Sequence, residues 1–265
     1  MSRIKATLDR LHKEKRKALI IFLTAGDPSL AATKNLVLAA EKAGADIIEL
    51  GVPFSDPLAD GPVIQRSFGR AIHGGANVAG IIRLAAQIRK ESQVPLVFMV
   101  GSTLVINHGV EKFMADSAKA GVDGVILPDA PLEEAGEFTP AARAAGLDTI
   151  FLAAPTTPPA RLKSIAAHST GFLYYINVSG VTGGKSADAA EVAANVRKAK
   201  KTAKIPVMAG FGVKTPQQAR ELSRVADGVI IGSAAVDIVA NAGAKSAPDA
   251  LAKFIRSVRK EMDRP

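Results

Sequence analysis

The stretch "AGADIIEL" (residues 43–50) decides how this chain is read, because it returns twice. "AGVDGVIL" (120–127) and "AGLDTIFL" (145–152) repeat its order, and "VADGVIIG" (225–232) is a looser copy. In each of the first three, an Ala-rich segment ends at Gly, the residue for which a left-handed helix terminus is cheapest. Asp follows, and then a short apolar run with the look of a strand. Working outward, eight such runs appear: "ALIIFLT" (18–24), "DIIEL" (46–50), "PLVFMV" (95–100), "DGVILP" (123–128), "DTIFLA" (148–153), "FLYYI" (172–176), "IPVMAG" (205–210) and "DGVIIG" (227–232). The segments between them carry helical spacing, as with Leu36, Ala40 and Ala43. Near-continuous apolar strands alternating with helices indicate parallel strands covered by helices.

Eight units predict an α/β fold, a (β/α)8 barrel in one domain spanning residues 1–265. Residues 2–13 form an extra helix ahead of the first strand, with Ile4, Leu8 and Leu11 on one face. The alternative is an open doubly wound sheet. Against it, the first strand is followed by "TAGDPS", which lacks the glycine spacing of a dinucleotide fold.

The 265 residues carry a formal charge of +9, 48% hydrophobic residues and no Cys. The absence of Cys excludes disulfides, thiolate nucleophiles and cysteine-bound metals, and suits a cytoplasmic protein. The basic runs at 13–17 and 197–204 have no interleaved aromatic residues. Stacking platforms for single-stranded nucleic acid are therefore missing, and the charge reads as solvated helix faces plus attraction for an anionic substrate. The apolar run at 18–23 is too short to span a membrane.

Chemistry in such a barrel sits at the C-terminal strand ends. Glu49 interrupts the apolar positions Ile47, Ile48 and Leu50, and Asp60 lies in the Pro- and Gly-rich loop that follows. A carboxylate at an apolar strand position is costly unless paired or protonated, and its pKa rises accordingly. That suits a general acid or base near neutral pH. Asp60 reads equally as an ordinary loop residue, and Asp56 competes with it. Three glycine-rich turns, "SGVTGGK" (179–185), "AGFGVK" (209–214) and "GSAAVD" (232–237), follow the last three strands. Together they match a phosphate site built from backbone N–H groups. The four His show no metal-ligand spacing, and no Lys lies inside the eight runs to form a Schiff base. The expected chemistry is carboxylate acid–base work on a phosphate ester, without metal or cofactor.

These residues resemble one family, the α subunits of tryptophan synthase. The resemblance rests on "IELGVPFSDPLADGPVIQ" (48–65), "FLTAGDP" (22–28), "AGVDGVILPDAPLEE" (120–134), "SGVTG" (179–183) and "AGFGV" (209–213), in family order over nearly the whole chain. It implies retro-aldol cleavage of indole-3-glycerol phosphate to indole and glyceraldehyde 3-phosphate. It further implies Glu49 as proton donor and acceptor, and Asp60 facing the indole nitrogen. Phe22, Ile64, Leu127 and Phe211 would line the indole pocket, with Tyr174 beside them. Gly183, Gly212, Gly232 and Ser233 would hold the phosphate, and Thr182 would belong to a lid. The implied partner is a pyridoxal-phosphate-bearing β subunit in an α2β2 complex. The chain departs from the family pattern after Met99, where "VGSTLVINHG" (100–109) puts Gly101 and Thr103 in place of the usual Tyr and Asn. Asn177 also stands where Ser is common.

Overall fold

A computed structural model describes residues 2–57, 60–176, 189–210 and 212–264. The strands are β1 (Ala18–Thr24), β2 (Ile47–Gly51), β3 (Leu96–Met99), β4 (Gly124–Ile126), β5 (Asp148–Thr149), β6 (Leu152–Ala153), β7 (Leu173–Ile176), β8 (Val207–Gly210) and β9 (Gly228–Ile231). They form one sheet in the order β5-β4-β3-β2-β1-β9-β8-β7-β6, with every pairing parallel.

The two edges of this sheet are halves of a single run, residues 148–153. Its first half pairs with β4 and its second with β7. Between them Ile150 donates its N–H to Val125 O at 3.0 Å, and Tyr174 donates to Phe151 O at 3.1 Å. The ring is therefore closed, with eight strand positions built from nine pieces. The interruption has a local cause. The Thr149 N–H donates to Thr170 Oγ1 at 2.8 Å and the Phe151 N–H to Ser169 Oγ at 3.2 Å, so two hydroxyls stand where ladder carbonyls would be.

Side chains alternate between two cores, as the period of two in a strand requires. Ile20, Ile47, Val97, Ile126, Ile150, Tyr174, Met208 and Ile230 fill the barrel interior. Leu19, Ile21, Leu23, Ile48, Leu50, Leu96, Phe98 and Tyr175 pack against the surrounding helices. The expected N-terminal helix is present as Arg3–Lys13, capped by Ser2 Oγ on Lys5 N–H. Its Ile4, Leu8 and Leu11 join the interior cluster, so the helix closes one end of the barrel.

Gly44, Gly121 and Gly146 all have positive φ, at 107°, 89° and 76°. The Asp two residues later clips its strand to a neighbour. Asp46 accepts the Leu19 N–H at 2.9 Å while its own N–H donates to Leu19 O at 2.8 Å. Asp123 does the same with Leu96, at 2.9 and 2.8 Å, and Asp227 with Val207, at 3.0 and 3.0 Å. Each clip carries a cation: Arg259 on Asp46, Arg89 on Asp123 and Lys200 on Asp227. Asp148 instead accepts from Ser2 Oγ at 2.6 Å and ties down the N-terminal helix.

Candidate active site

Glu49 follows Ile47 by two residues and so points to the same side of β2, into the barrel. Its Cα registers with Phe22 on β1 and Val97 on β3. It is 1% exposed, and neither carboxylate oxygen has a hydrogen-bond partner among the described residues. Desolvation, with a smaller contribution from the charge of Asp60, pushes its pKa up to about 8. Asp60 closes the loop after β2, with its N–H donating to Pro57 O at 3.1 Å. Burial pushes its carboxyl up to about 6. Asp56, the competing choice, is an exposed loop residue.

Tyr174 shares this environment. Its phenol is raised well above the ordinary value by burial, then by the charges of Glu49 and Asp60. Tyr174 faces the interior and Tyr175 faces the helices, which separates two residues adjacent in sequence. Three ionisable groups thus converge at the barrel mouth, where desolvation strengthens every interaction between them.

An apolar wall stands beside them. Phe22, Ile64, Phe68 and Val236 form a buried cluster, with Phe54, Val63 and Met99 packed against it. Gly51 is required by this wall: a Cβ there would lie 2.3 Å from Phe22 Cζ. Phe22 and Ile64 are therefore brought together. Leu127 lines a cavity of about 270 Å³ together with Phe151, Leu152, Ile176 and Leu132.

Gly232 and Ser233 begin the helical segment Ser233–Met262, which kinks at Gly243. The first N–H groups of a helix lack intrahelical partners and favour an anion. The position of a Cβ at Gly232 is 3.7 Å from Phe22 Cβ, which sets this helix terminus next to the apolar wall. Gly212 has a φ of +64°, a conformation that favours glycine, and no atom of the described residues lies within 4 Å of its Cβ position. Thr182, Gly183, Phe211 and Asn177 lie outside the described residues.

Several residues that shape the site were not singled out in the sequence. Asp129 accepts from Ser102 N–H at 2.9 Å and from Ser102 Oγ at 3.0 Å, joining the loops after β3 and β4. Gln65 holds the Asp60 loop, and Thr24–Ser67 and Asp27–Arg70 seat the helix Pro62–His73. Each is a polar residue in a loop, at a strand end or on a helix, a type too common in any of these places to stand out. His108 pairs with Asp116 at 2.9 Å and lies edge-on to Phe113, and His73 is exposed. Among the described residues no group of three or more His, Asp or Glu could hold a metal ion.

The family model described as "Tryptophan synthase alpha chain" matches residues 8–264. The chain belongs to the tryptophan synthase alpha chain family. It is 45% identical over 259 residues to the alpha chain of Geobacter sulfurreducens, covering 98% of each. It is similar to the crystal structure of tryptophan synthase subunit alpha from Legionella pneumophila, with a TM-score of 0.94, 35% identity and 99% of each chain covered. It is similar too to a structure from Pyrococcus furiosus titled for mutual activation of the tryptophan synthase a2b2 complex, with a TM-score of 0.86, 38% identity, and 92% of this chain and 98% of that one covered. As a tryptophan synthase alpha chain it is a lyase of tryptophan biosynthesis with a TIM-barrel fold. It cleaves indole-3-glycerol phosphate by a retro-aldol reaction to indole and glyceraldehyde 3-phosphate.

Proposed function

We propose that Glu49 and Asp60 divide the acid–base work of this cleavage. The observation that carries the reading is a buried carboxyl, Glu49, without a hydrogen-bond partner among the described residues, beside a second carboxyl whose pKa is raised less. Two titratable groups held at different values mark an acid and a base. Near neutral pH, Glu49 is the protonated member and gives its proton to indole C3. Asp60, ionised, faces the indole nitrogen and balances the positive charge that appears on the ring. The Glu49 carboxylate so formed takes the proton of the glycerol hydroxyl. Its O–H pair becomes the aldehyde carbonyl as the carbon–carbon bond breaks, and the bonding pair returns to the indole ring. Phe22, Ile64, Leu127 and Phe211 line the indole pocket, and Tyr174 closes its floor. Gly183, Gly212, Gly232 and Ser233 hold the phosphate, and Thr182 belongs to the lid over Asp60. The whole chain acts as one domain, in the cytoplasm, and needs no cofactor of its own.

This division fixes the sign of the pH dependence. Activity requires ionised Asp60 and protonated Glu49. kcat/KM should therefore fall below about pH 6, as Asp60 gains a proton, and above about pH 8, as Glu49 loses one. Indole release from indole-3-glycerol phosphate, followed from acid to alkaline pH, checks it. A profile with no alkaline limb would remove Glu49 from the role of acid.

Indole is small and apolar and would escape an open mouth. We infer that the chain docks through this rim onto a pyridoxal-phosphate β subunit in an α2β2 complex, which receives the indole. The a2b2 assembly named for the similar Pyrococcus furiosus structure supports this. The docking face comprises the Asp56 loop, residues 101–108 and Pro131–Leu132, and it includes Ile106, which is 53% exposed. Gly101 and Thr103 tune the contact to one β partner. Adding that β subunit is expected to raise the rate of indole formation by favouring the closed site. No complex and no stimulation would overturn the assignment, and equal stimulation by a foreign β subunit would overturn the tuning.

A further inference from the structure

Asp60 is followed by one glycine and then by the helix Pro62–His73. That helix is the frame on which the Asp60 loop hangs, and it is seated twice on the chain leaving β1. Thr24 Oγ1 and Ser67 Oγ share a hydrogen bond of 2.6 Å, and both residues are buried. Arg70 donates to the two oxygens of Asp27 at 2.9 and 2.7 Å, and Asp27 is buried. From the first turn of this fixed helix, Gln65 Nε2 donates to Asp60 O at 2.8 Å and reaches Pro57 O at 3.4 Å. The Asp60 N–H donates to that same Pro57 O at 3.1 Å. One side-chain amide thus meets the carbonyls of both Pro57 and Asp60.

We propose that Gln65 is a positioning residue for Asp60: its amide ties Pro57 and Asp60 to the seated helix and holds the Asp60 carboxylate at the barrel mouth. The inference rests on the role given to Asp60 above. Gln65 is exposed, so its bonds to these two carbonyls add little to global stability. Their consequence is geometric, and small displacements of a catalytic group carry large rate penalties.

Gln65→Met keeps the length of the side chain and removes the donor. Gln65→Lys restores a donor of similar reach. In the full-length chain, Gln65→Met is expected to lower kcat for indole release by about 10- to 100-fold, with KM changed less. Gln65→Lys should recover most of the loss, and both variants should unfold at the parent temperature. The pH profile supplies a reading that a purely structural role would not move. Glu49 and Tyr174 are the ionisable groups that share the Asp60 environment. Once Asp60 is less firmly held, water reaches its carboxyl, so its acid limb moves below about 6. Glu49 then feels less of the Asp60 charge, and its alkaline limb also moves below about 8. Asp60→Asn is measured alongside. If Asp60→Asn stays active, the role of Asp60 fails. If Asp60→Asn is inactive while Gln65→Met keeps parental activity and an unmoved profile, only the positioning role fails. Equal losses in Gln65→Met and Gln65→Lys with lowered unfolding temperatures would likewise overturn it.

Discussion

Replacing Glu49 by Gln is expected to cut the rate of indole formation by about 10²- to 10⁴-fold while leaving the fold intact, because the amide keeps the shape of the side chain and cannot shuttle a proton. The structural half of this expectation follows from the unpartnered oxygens of Glu49: the substitution breaks no hydrogen bond among the described residues. The sign of the stability change also follows. Glu49 holds its proton up to about pH 8 in the folded chain, against an ordinary value of 4.5. Between these pH values the folded chain binds more protons than the unfolded one, so the parent loses stability as pH rises. Glu49→Gln removes that slope. Chemical denaturation of both proteins at pH 5 and at about pH 8 should find the variant gaining on the parent at the higher pH. A variant whose cleavage rate stays within a few-fold of the parent would make Glu49 a structural residue.

Asp123→Ala should produce the largest loss of stability, about 3–5 kcal/mol, since it removes one partner of a buried ion pair and leaves the other charge uncompensated. Asp123 is 5% exposed and accepts from Leu96 N–H, Arg89 and Arg3. Arg89 keeps its bonds to Gly121 O, Ser92 O and Val94 O, which are neutral acceptors. The loss therefore combines an unpaired guanidinium with an unsatisfied strand N–H. Arg3→Ala tests the same carboxylate from its exposed side and should cost no more than about 1 kcal/mol, as exposed ion pairs usually do. Denaturant midpoints of the two variants check the contrast, and equal losses would show that the strand clip contributes nothing beyond surface charge.

The amino-acid sequence by itself determined the features that depend on local period and on single-residue conformational preference. Gly44, Gly121 and Gly146 mark helix ends because positive φ is cheap only for glycine. Ile47 and Glu49 share a face because alternate residues of a strand do. The N-terminal helix shows its buried stripe at Ile4, Leu8 and Leu11 by the same kind of argument at helical spacing. Tertiary structure decided what depends on atoms brought together from distant parts of the chain. The split of the fifth strand position comes from hydroxyls of Ser169 and Thr170, some twenty residues further on. The repeated Asp residues were visible as a pattern, but their partners Leu19, Leu96 and Val207 lie on neighbouring strands. Tyr174 and Tyr175 are equivalent as letters, and only the phase of β7 turns one toward Glu49 and the other toward the helices. Asp60 looked no different from Asp56 until burial beside Glu49 raised its pKa, because desolvation belongs to the surroundings of a group and not to its place in the chain.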